Sequence, residues 1–264
     1  MALNFDLRNK TIVLTGSAGR VGSRFSEILS KAGANLVLID KDIEKNEKLF
    51  KKIKKQYKTR CLISNIDITD ASKIDNLVKT VLKKYSKIDV LINNAHFIPR
   101  DDQNLCVPFE KYPYELWQKT ISENLNSVFV CCQKFGKIMV KQKNGSIINV
   151  SSIYGMVGPD QRIYGVSGQN AAAFYSASKG GVINLTRYLA SYWNRTGIRV
   201  NTLTPGGVGN NQKSNFIKKY SNKTMLGRMA KKDEYVAAIL FLSSDASSYM
   251  TGSNLIIDGG WTAW

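Results

Sequence analysis

The sequence predicts an α/β fold, a doubly wound, mostly parallel seven-stranded sheet with helices on both faces. Three observations predict it. Short apolar, β-branched runs alternate along the chain with longer amphipathic stretches, the order that right-handed crossovers between parallel strands require. Several runs, such as "TIVLT" and "NLVLI", are almost wholly apolar, as strands are when helices cover both faces of their sheet. No internal repeat, low-complexity tract or linker interrupts the 264 residues, so 1–264 read as a single domain.

Strands are expected at 11–15, 35–39, 60–66, 88–93, 145–151, 198–204 and 254–258. Helices are expected at 20–32, 43–57, 71–85, 114–141, 172–196 and 232–243. The first strand runs into Thr15-Gly16-Ser17-Ala18-Gly19-Arg20-Val21-Gly22, a glycine-rich turn that opens a helix. The second ends in Leu38-Ile39-Asp40. The helix after it carries lysines interleaved with Asp42, Glu44 and Glu47, the pattern of a solvated face. Asp67 and Ile68 follow the third strand, and Asn93-Asn94-Ala95 ends the fourth, just before His96, the chain's one histidine. Three long stretches are irregular: 96–113, 153–171 and, partly helical, 205–224. Loops of such length in a compact domain tend to be functional. In an open α/β sheet the ligand sits at the carboxyl ends of the strands.

Composition narrows the function classes. The net charge is +18, but the lysines are spread along the chain without an arginine-rich tract or a stacking motif, which argues against a nucleic-acid partner. No apolar run approaches the roughly 20 residues that span a bilayer, and the N-terminus lacks a signal-peptide pattern. A cytoplasmic protein with no membrane insertion is expected. Cys61, Cys106, Cys131 and Cys132 show no CxxC or metal-ligand spacing, so neither a disulfide framework nor a metal site is expected.

The glycine-rich turn lets a backbone approach a pyrophosphate, and the helix behind it offers free N–H groups and a positive dipole end. Asp40 stands where a carboxylate bonds the adenosine ribose hydroxyls and repels a 2′-phosphate, so NAD is favoured over NADP. Arg20 and Lys41 are nearby cations that partly offset that repulsion. Asp67 contacts the adenine edge, or caps the next helix together with Asp70. Further on, Tyr175 and Lys179 share a helix face. A tyrosine is a poor base near neutral pH, and an adjacent ammonium stabilises its phenolate.

With these residues assembled, the chain resembles the short-chain dehydrogenase/reductase family over essentially its whole length. The resemblance lies in Thr15 to Gly22, Asp67, the "NNA" segment, Asn124 in "ENLNSVF", Ser152 in "IINVSS", the YxxxK of Tyr175 and Lys179, "RVNTLTPGGV" and the tail "TGSNLIIDGG". It implies a Rossmann domain that binds a nicotinamide dinucleotide through Gly16, Ser17, Arg20, Val21, Gly22, Asp40, Lys41, Asp67, Ile68, Asn93, Ala95, Tyr175, Lys179, Pro205, Gly206 and Val208. It also implies catalytic roles. Tyr175 would be the general acid/base and Ser152 would hold the substrate oxygen. Lys179 would bond the nicotinamide ribose and lower the Tyr175 pKa, and Asn124 would hold a water relaying protons to Lys179. The family commonly forms tetramers, so a homo-oligomer, tetramer or dimer, is expected, with 172–196 and 255–264 as interface candidates.

Three departures from the family pattern bear on function. The middle glycine of the turn is Arg20, the glycine usual after "NNA" is His96, and a longer segment than usual separates Ser152 from Tyr175. That segment brings Tyr154, Asp160, Gln161, Arg162 and Tyr164 towards the substrate mouth. With Tyr175 owning the proton chemistry, His96 is expected to shape the pocket or bind substrate. Arg100, Arg162 and Lys213 lie in the long loops, where they could meet phosphate or carboxylate groups.

The insertion with "PDQRIY" and the "AGR" turn look similar to family members in bacterial surface-glycan and flagellin-modification pathways. The leading expectation is therefore an NAD-dependent oxidoreductase that interconverts a secondary alcohol and a ketone on a sugar, sugar-phosphate or nucleotide-sugar derivative. A 3-oxoacyl-(acyl-carrier-protein) reductase and a non-catalytic nucleotide-binding regulator stand as alternatives.

Overall fold

The structure, a computed structural model, describes residues 5–99, 102–165 and 170–264. Arg100 lies outside the described residues. The elements follow the expected order. β1 (Thr11–Thr15) leads to α1 (Gly22–Lys31), β2 (Asn35–Ile39) to α2 (Ile43–Gln56) and β3 (Cys61–Ser64) to α3 (Ala71–Tyr85). β4 (Val90–Asn93) leads to α4 (Tyr114–Ile121) and α5 (Ser127–Gln142), and β5 (Gly145–Val150) to α6 (Ala173–Tyr192). β6 (Ile198–Pro205) leads to α7 (Ser214–Ser221) and α8 (Val236–Ser243), and β7 (Asn254–Ile257) comes last. The sheet order is β3-β2-β1-β4-β5-β6-β7 and every pairing is parallel. The strand order reverses between β1 and β4, and the crevice outside their carboxyl ends is where a ligand fits.

The apolar runs work because strand side chains alternate between faces. In β1, Ile12 and Leu14 join the core under α1, α2 and α8 with Phe25, Leu29, Ile53, Ile239 and Leu242. Val13 points the other way, to the core under α3, α5 and α6 with Leu77, Val81, Phe135, Met139 and Val182. The two layers clamp the sheet and fix the height of every strand end.

Helix boundaries follow local chemistry. Asp42 caps α2 by accepting from the Lys45 N–H at 3.0 Å. Asp70 caps α3, accepting from the Ser72 and Lys73 N–H groups at 3.0 and 3.2 Å. α6 stops at Tyr192, short of the expected residue 196, because Arg195 and Gly197 adopt φ of 59° and 80°. α8 begins only at Val236, since Glu234 turns back to accept from the Lys231 N–H at 2.7 Å. The helix expected at 114–141 is not continuous: a π-helical turn, Ser122–Asn126, separates α4 from α5. Such turns splay one residue out of the ladder and recur at functional sites; this one contains Asn124.

The irregular stretches carry short 3₁₀ turns at Gln103–Cys106, Phe109–Lys111, Ile153–Gly155 and Gln161–Tyr164. The four cysteines are free thiols. Among the described residues no helix is long and apolar enough to cross a membrane.

Candidate active site

The turn after β1 is shaped by close approach. Gly16 has φ +63°, and a Cβ on it would lie 2.7 Å from the Ala95 Cα. A Cβ on Gly22 would lie 2.0 Å from the Gly16 carbonyl oxygen. Only glycines allow this packing. Thr15 and Asn94 lock the turn to the end of β4. Thr15 Oγ1 accepts from the Asn94 and Ala95 N–H groups at 3.1 Å, and the Asn94 amide donates to the Thr15 and Gly16 carbonyls at 3.1 and 3.0 Å. α1 then starts at Gly22 behind Val21, with no side-chain cap and no acidic residue in its first turn. A helix N-terminus without its own carboxylate is an anion site. Arg20, beside it, donates to the carbonyls of Val208 and Gly209 at 3.3 and 3.5 Å, tying this turn to the loop after β6.

Two expected members are committed elsewhere. The Ser17 hydroxyl donates to Asn46 Oδ1 at 3.0 Å and is fully buried. The Asn93 amide donates to Asn149 Oδ1 at 2.8 Å and reaches Cys132 Sγ at 3.3 Å, so its side chain joins β4 to β5 and α5. Both face inward because the alternation of a turn or strand end places them on its covered side.

At the far end of the groove, both Asp40 oxygens accept backbone bonds, Oδ2 from Ala18 at 2.9 Å and Oδ1 from Asp42 at 3.0 Å. Asp40 is thereby fixed between the turn and β2. Asp67 Oδ1 accepts from the Thr69 N–H and hydroxyl at 2.9 and 2.8 Å, which holds its carboxyl below the ordinary range against some burial. Since Asp70 is the cap of α3, Asp67 is left beyond the end of β3 with Ile68, which packs on the core under α3, α5 and α6. Lys41 pairs with Glu123 at 3.0 Å and lies 5.0 Å over the Phe97 ring.

The reactive end forms where β5, α6 and the π turn meet. Ser152 caps the first 3₁₀ turn of the insertion, its hydroxyl accepting from the Tyr154 N–H at 3.3 Å. It also acts on the Tyr175 phenol, pulling its pKa down. Lys179, one helical turn along α6, is 3% exposed and donates to the Val150 carbonyl at 2.9 Å. Its Nζ stands 5.9 Å from the Tyr175 ring centroid. Burial alone pushes the Lys179 ammonium down to about 8. Burial pushes the Tyr175 phenol up, and the Ser152 hydroxyl pulls it the other way. Desolvation is the larger of these two effects. Asn124 is fully buried and grips the backbone of Phe97, next to His96. His96 itself is exposed on the loop after β4.

The loop after β6 closes the site. Pro205 ends the strand, the Gly206 N–H donates to the Ile257 carbonyl at 2.8 Å, and Val208 bridges to Ala230. Tyr220 of α7 accepts from the Gly207 N–H at 2.5 Å and stacks on Trp261 at 4.3 Å. Tyr154 meets Trp261 edge-on at 6.5 Å. Arg162 forms a bidentate pair with Asp160, at 2.8 and 2.9 Å, and Asp160 also accepts from Lys223 at 2.6 Å. The guanidinium of Arg162 is thus directed at the insertion's own carboxylate, and Lys213 is exposed at the start of α7. The insertion, α7 and the C-terminal tail make one aromatic and ionic wall beside Tyr175. Glu123, Tyr220, Lys223 and Trp261 were not singled out as site residues from sequence, since their partners come from distant parts of the chain.

Known proteins resemble this chain over nearly its whole length. The sequence family described as enoyl-(acyl carrier protein) reductase matches residues 16–262. The chain is 36% identical to the 3-oxoacyl-(acyl-carrier-protein) reductase FabG of Thermotoga maritima, over 96% of this chain and 98% of that protein. It is 31% identical to post-translational flagellin modification protein A of Campylobacter coli, over 97% of this chain and 99% of the other. A short-chain dehydrogenase from Leptospira borgpetersenii, solved with bound NAD+, superposes with a TM-score of 0.85 and 32% identity over 99% of this chain and 97% of that one. The fold and the relatives agree, and the chain belongs to the short-chain dehydrogenase/reductase family of NAD(P)-dependent oxidoreductases.

Proposed function

We propose that this chain is an NAD-dependent oxidoreductase that interconverts a secondary alcohol and a ketone on a sugar, sugar-phosphate or nucleotide-sugar derivative used in surface-glycan assembly. The observation that carries the chemistry is the convergence on Tyr175 of Lys179, whose Nζ stands 5.9 Å from its ring centroid, and of Ser152, whose hydroxyl pulls the phenol pKa down. In this reading the uncapped N-terminus of α1, with Gly16, Arg20, Val21 and Gly22, receives the pyrophosphate. Asp40 takes the adenosine ribose, and Asp67, Ile68 and Ala95 line the adenine side. Pro205, Gly206 and Val208 face the nicotinamide, and Lys179 and Tyr175 its ribose. When bound, the nicotinamide supplies or accepts the hydride. Tyr175 passes the proton to or from the substrate oxygen while Ser152 holds that oxygen. A phenol raised by burial stays protonated near neutral pH, which suits it to donate to a ketone. Asn124 fixes the wall opposite, and His96 and the insertion shape the substrate side.

The sugar assignment is supported by the likeness to the Campylobacter coli protein and by the polar, tyrosine-rich insertion. A cytoplasmic homo-oligomer fits the exposed, stacked Tyr188 and Tyr192 on α6, a face suited to a second copy. Tyr175→Phe tests the chemistry. Turnover of alcohol substrates with NAD should fall by roughly 10²- to 10⁴-fold while NADH binding, read by fluorescence, persists. Full turnover in this variant would sink the reading.

A second reading, reduction of a 3-oxoacyl thioester, is favoured by the FabG likeness. It requires NADPH preference and turnover of acyl thioesters. A purified enzyme that oxidises sugars or polyols with NAD and ignores those thioesters excludes it.

A further inference from the structure

The lysine that follows Asp40 has a partner from a distant element. Lys41 Nζ donates to both carboxylate oxygens of Glu123, at 3.2 and 3.0 Å. The two side chains differ in exposure, 57% for Lys41 and 17% for Glu123. The carboxylate is the fixed member, because it is rooted in the π turn Ser122–Asn126, whose neighbour Asn124 is buried and bonded three ways. The lysine is the mobile member, a flexible stem drawn onto that carboxylate and laid 5.0 Å over Phe97. A lysine directly beside the carboxylate read as the ribose contact would otherwise be a cation available to a 2′-phosphate. Here it is neutralised from across the groove.

We propose that Glu123 is a specificity-determining residue for the cofactor, acting through Lys41: by holding that ammonium against the π turn it keeps it from a ribose 2′-phosphate. The inference rests on the reading of Asp40 as the ribose contact. Asp40 supplies repulsion, and the Glu123–Lys41 pair withdraws the cation that would offset it. Cofactor choice is then set by three residues on two elements rather than by Asp40 alone.

Fluorescence titration of the wild type, Glu123→Gln, Lys41→Ala and the double variant with NADH and with NADPH tests this at one fixed ionic strength. Glu123→Gln should tighten NADPH about two- to fivefold, the scale of one partly exposed ion pair, and leave NADH nearly unchanged. The gain should vanish in the Lys41→Ala background, since the effect passes through that side chain. An unchanged NADPH-to-NADH ratio in Glu123→Gln overturns the inference. So does a gain that persists without Lys41, which would mean direct repulsion by Glu123. Wild-type protein that binds neither dinucleotide, or that prefers NADPH, overturns the reading of the Asp40 site and this inference with it. That failure is distinct because it shows before any substitution is made.

Discussion

Asn124 holds the Phe97 peptide from both sides. Its Oδ1 accepts from the Phe97 N–H at 2.8 Å and its Nδ2 donates to the Phe97 carbonyl at 2.9 Å. The same amide donates to the Thr120 carbonyl at 2.9 Å, which the π turn leaves available. One side chain thus joins the break in the helix to the loop that carries His96. Asn124→Ala leaves these buried backbone groups unpaired and should cost about 2–4 kcal/mol, with turnover reduced as well. Urea unfolding measures the first effect. A change below about 0.5 kcal/mol would mean the loop is held by other contacts.

Gly22→Ala would set a methyl 2.0 Å from the Gly16 carbonyl oxygen, a backbone atom that cannot rotate away. The turn must then open. The expected result is a loss of roughly 1–3 kcal/mol or more in stability together with loss of NADH binding. A folded variant that binds NADH as the wild type does would show that the turn is not the pyrophosphate cradle.

Lys179 gives the stability a pH dependence of definite sign. Its pKa falls from an ordinary 10.5 to about 8 in the folded chain. Below about 8 both states hold the proton and the folded state bears the whole penalty of a buried ammonium. Between about 8 and 10.5 the unfolded chain keeps the proton and the folded chain releases it, so this group's contribution to stability rises with pH. The span is on the order of 3 kcal/mol. Measured by urea unfolding from about pH 7.5 to about pH 10, the difference between Lys179→Met and wild type should shrink as pH rises. A difference independent of pH would show that the lysine's charge is accommodated without penalty.

Asp160 ties the insertion to the segment after α7 through Lys223, which also lies 5.5 Å over Trp261. Asp160→Asn weakens that tie and the Arg162 fork while leaving Ser152, Tyr175 and Lys179 in place. KM for the substrate should rise about three- to tenfold with a smaller change in kcat, as expected when a wall rather than the chemistry is loosened. A fall in kcat at unchanged KM would place Asp160 in the chemical step instead.

Much of this protein was legible in its sequence. Continuous apolar runs such as Thr11–Thr15 and Asn35–Ile39 determine strands covered on both faces, and their regular alternation with helical stretches determines a parallel, doubly wound sheet. The glycines of the first turn, Asp40 and the Tyr175–Lys179 spacing were legible too, because each depends on neighbours close along the chain. What lay beyond local pattern was every contact set by packing. The π turn at Asn124 arises from bonds to Phe97 and Thr120. The Lys41–Glu123 and Asp160–Lys223 pairs join residues 82 and 63 positions apart. The inward turn of Ser17 and Asn93 depends on Asn46 and Asn149. Local chemistry chose the elements and the reactive groups. Only the tertiary structure decided which charges are paired, which amides are committed to the sheet, and that burial raises the Tyr175 phenol, since desolvation and long-range pairing exist only once the layers have closed.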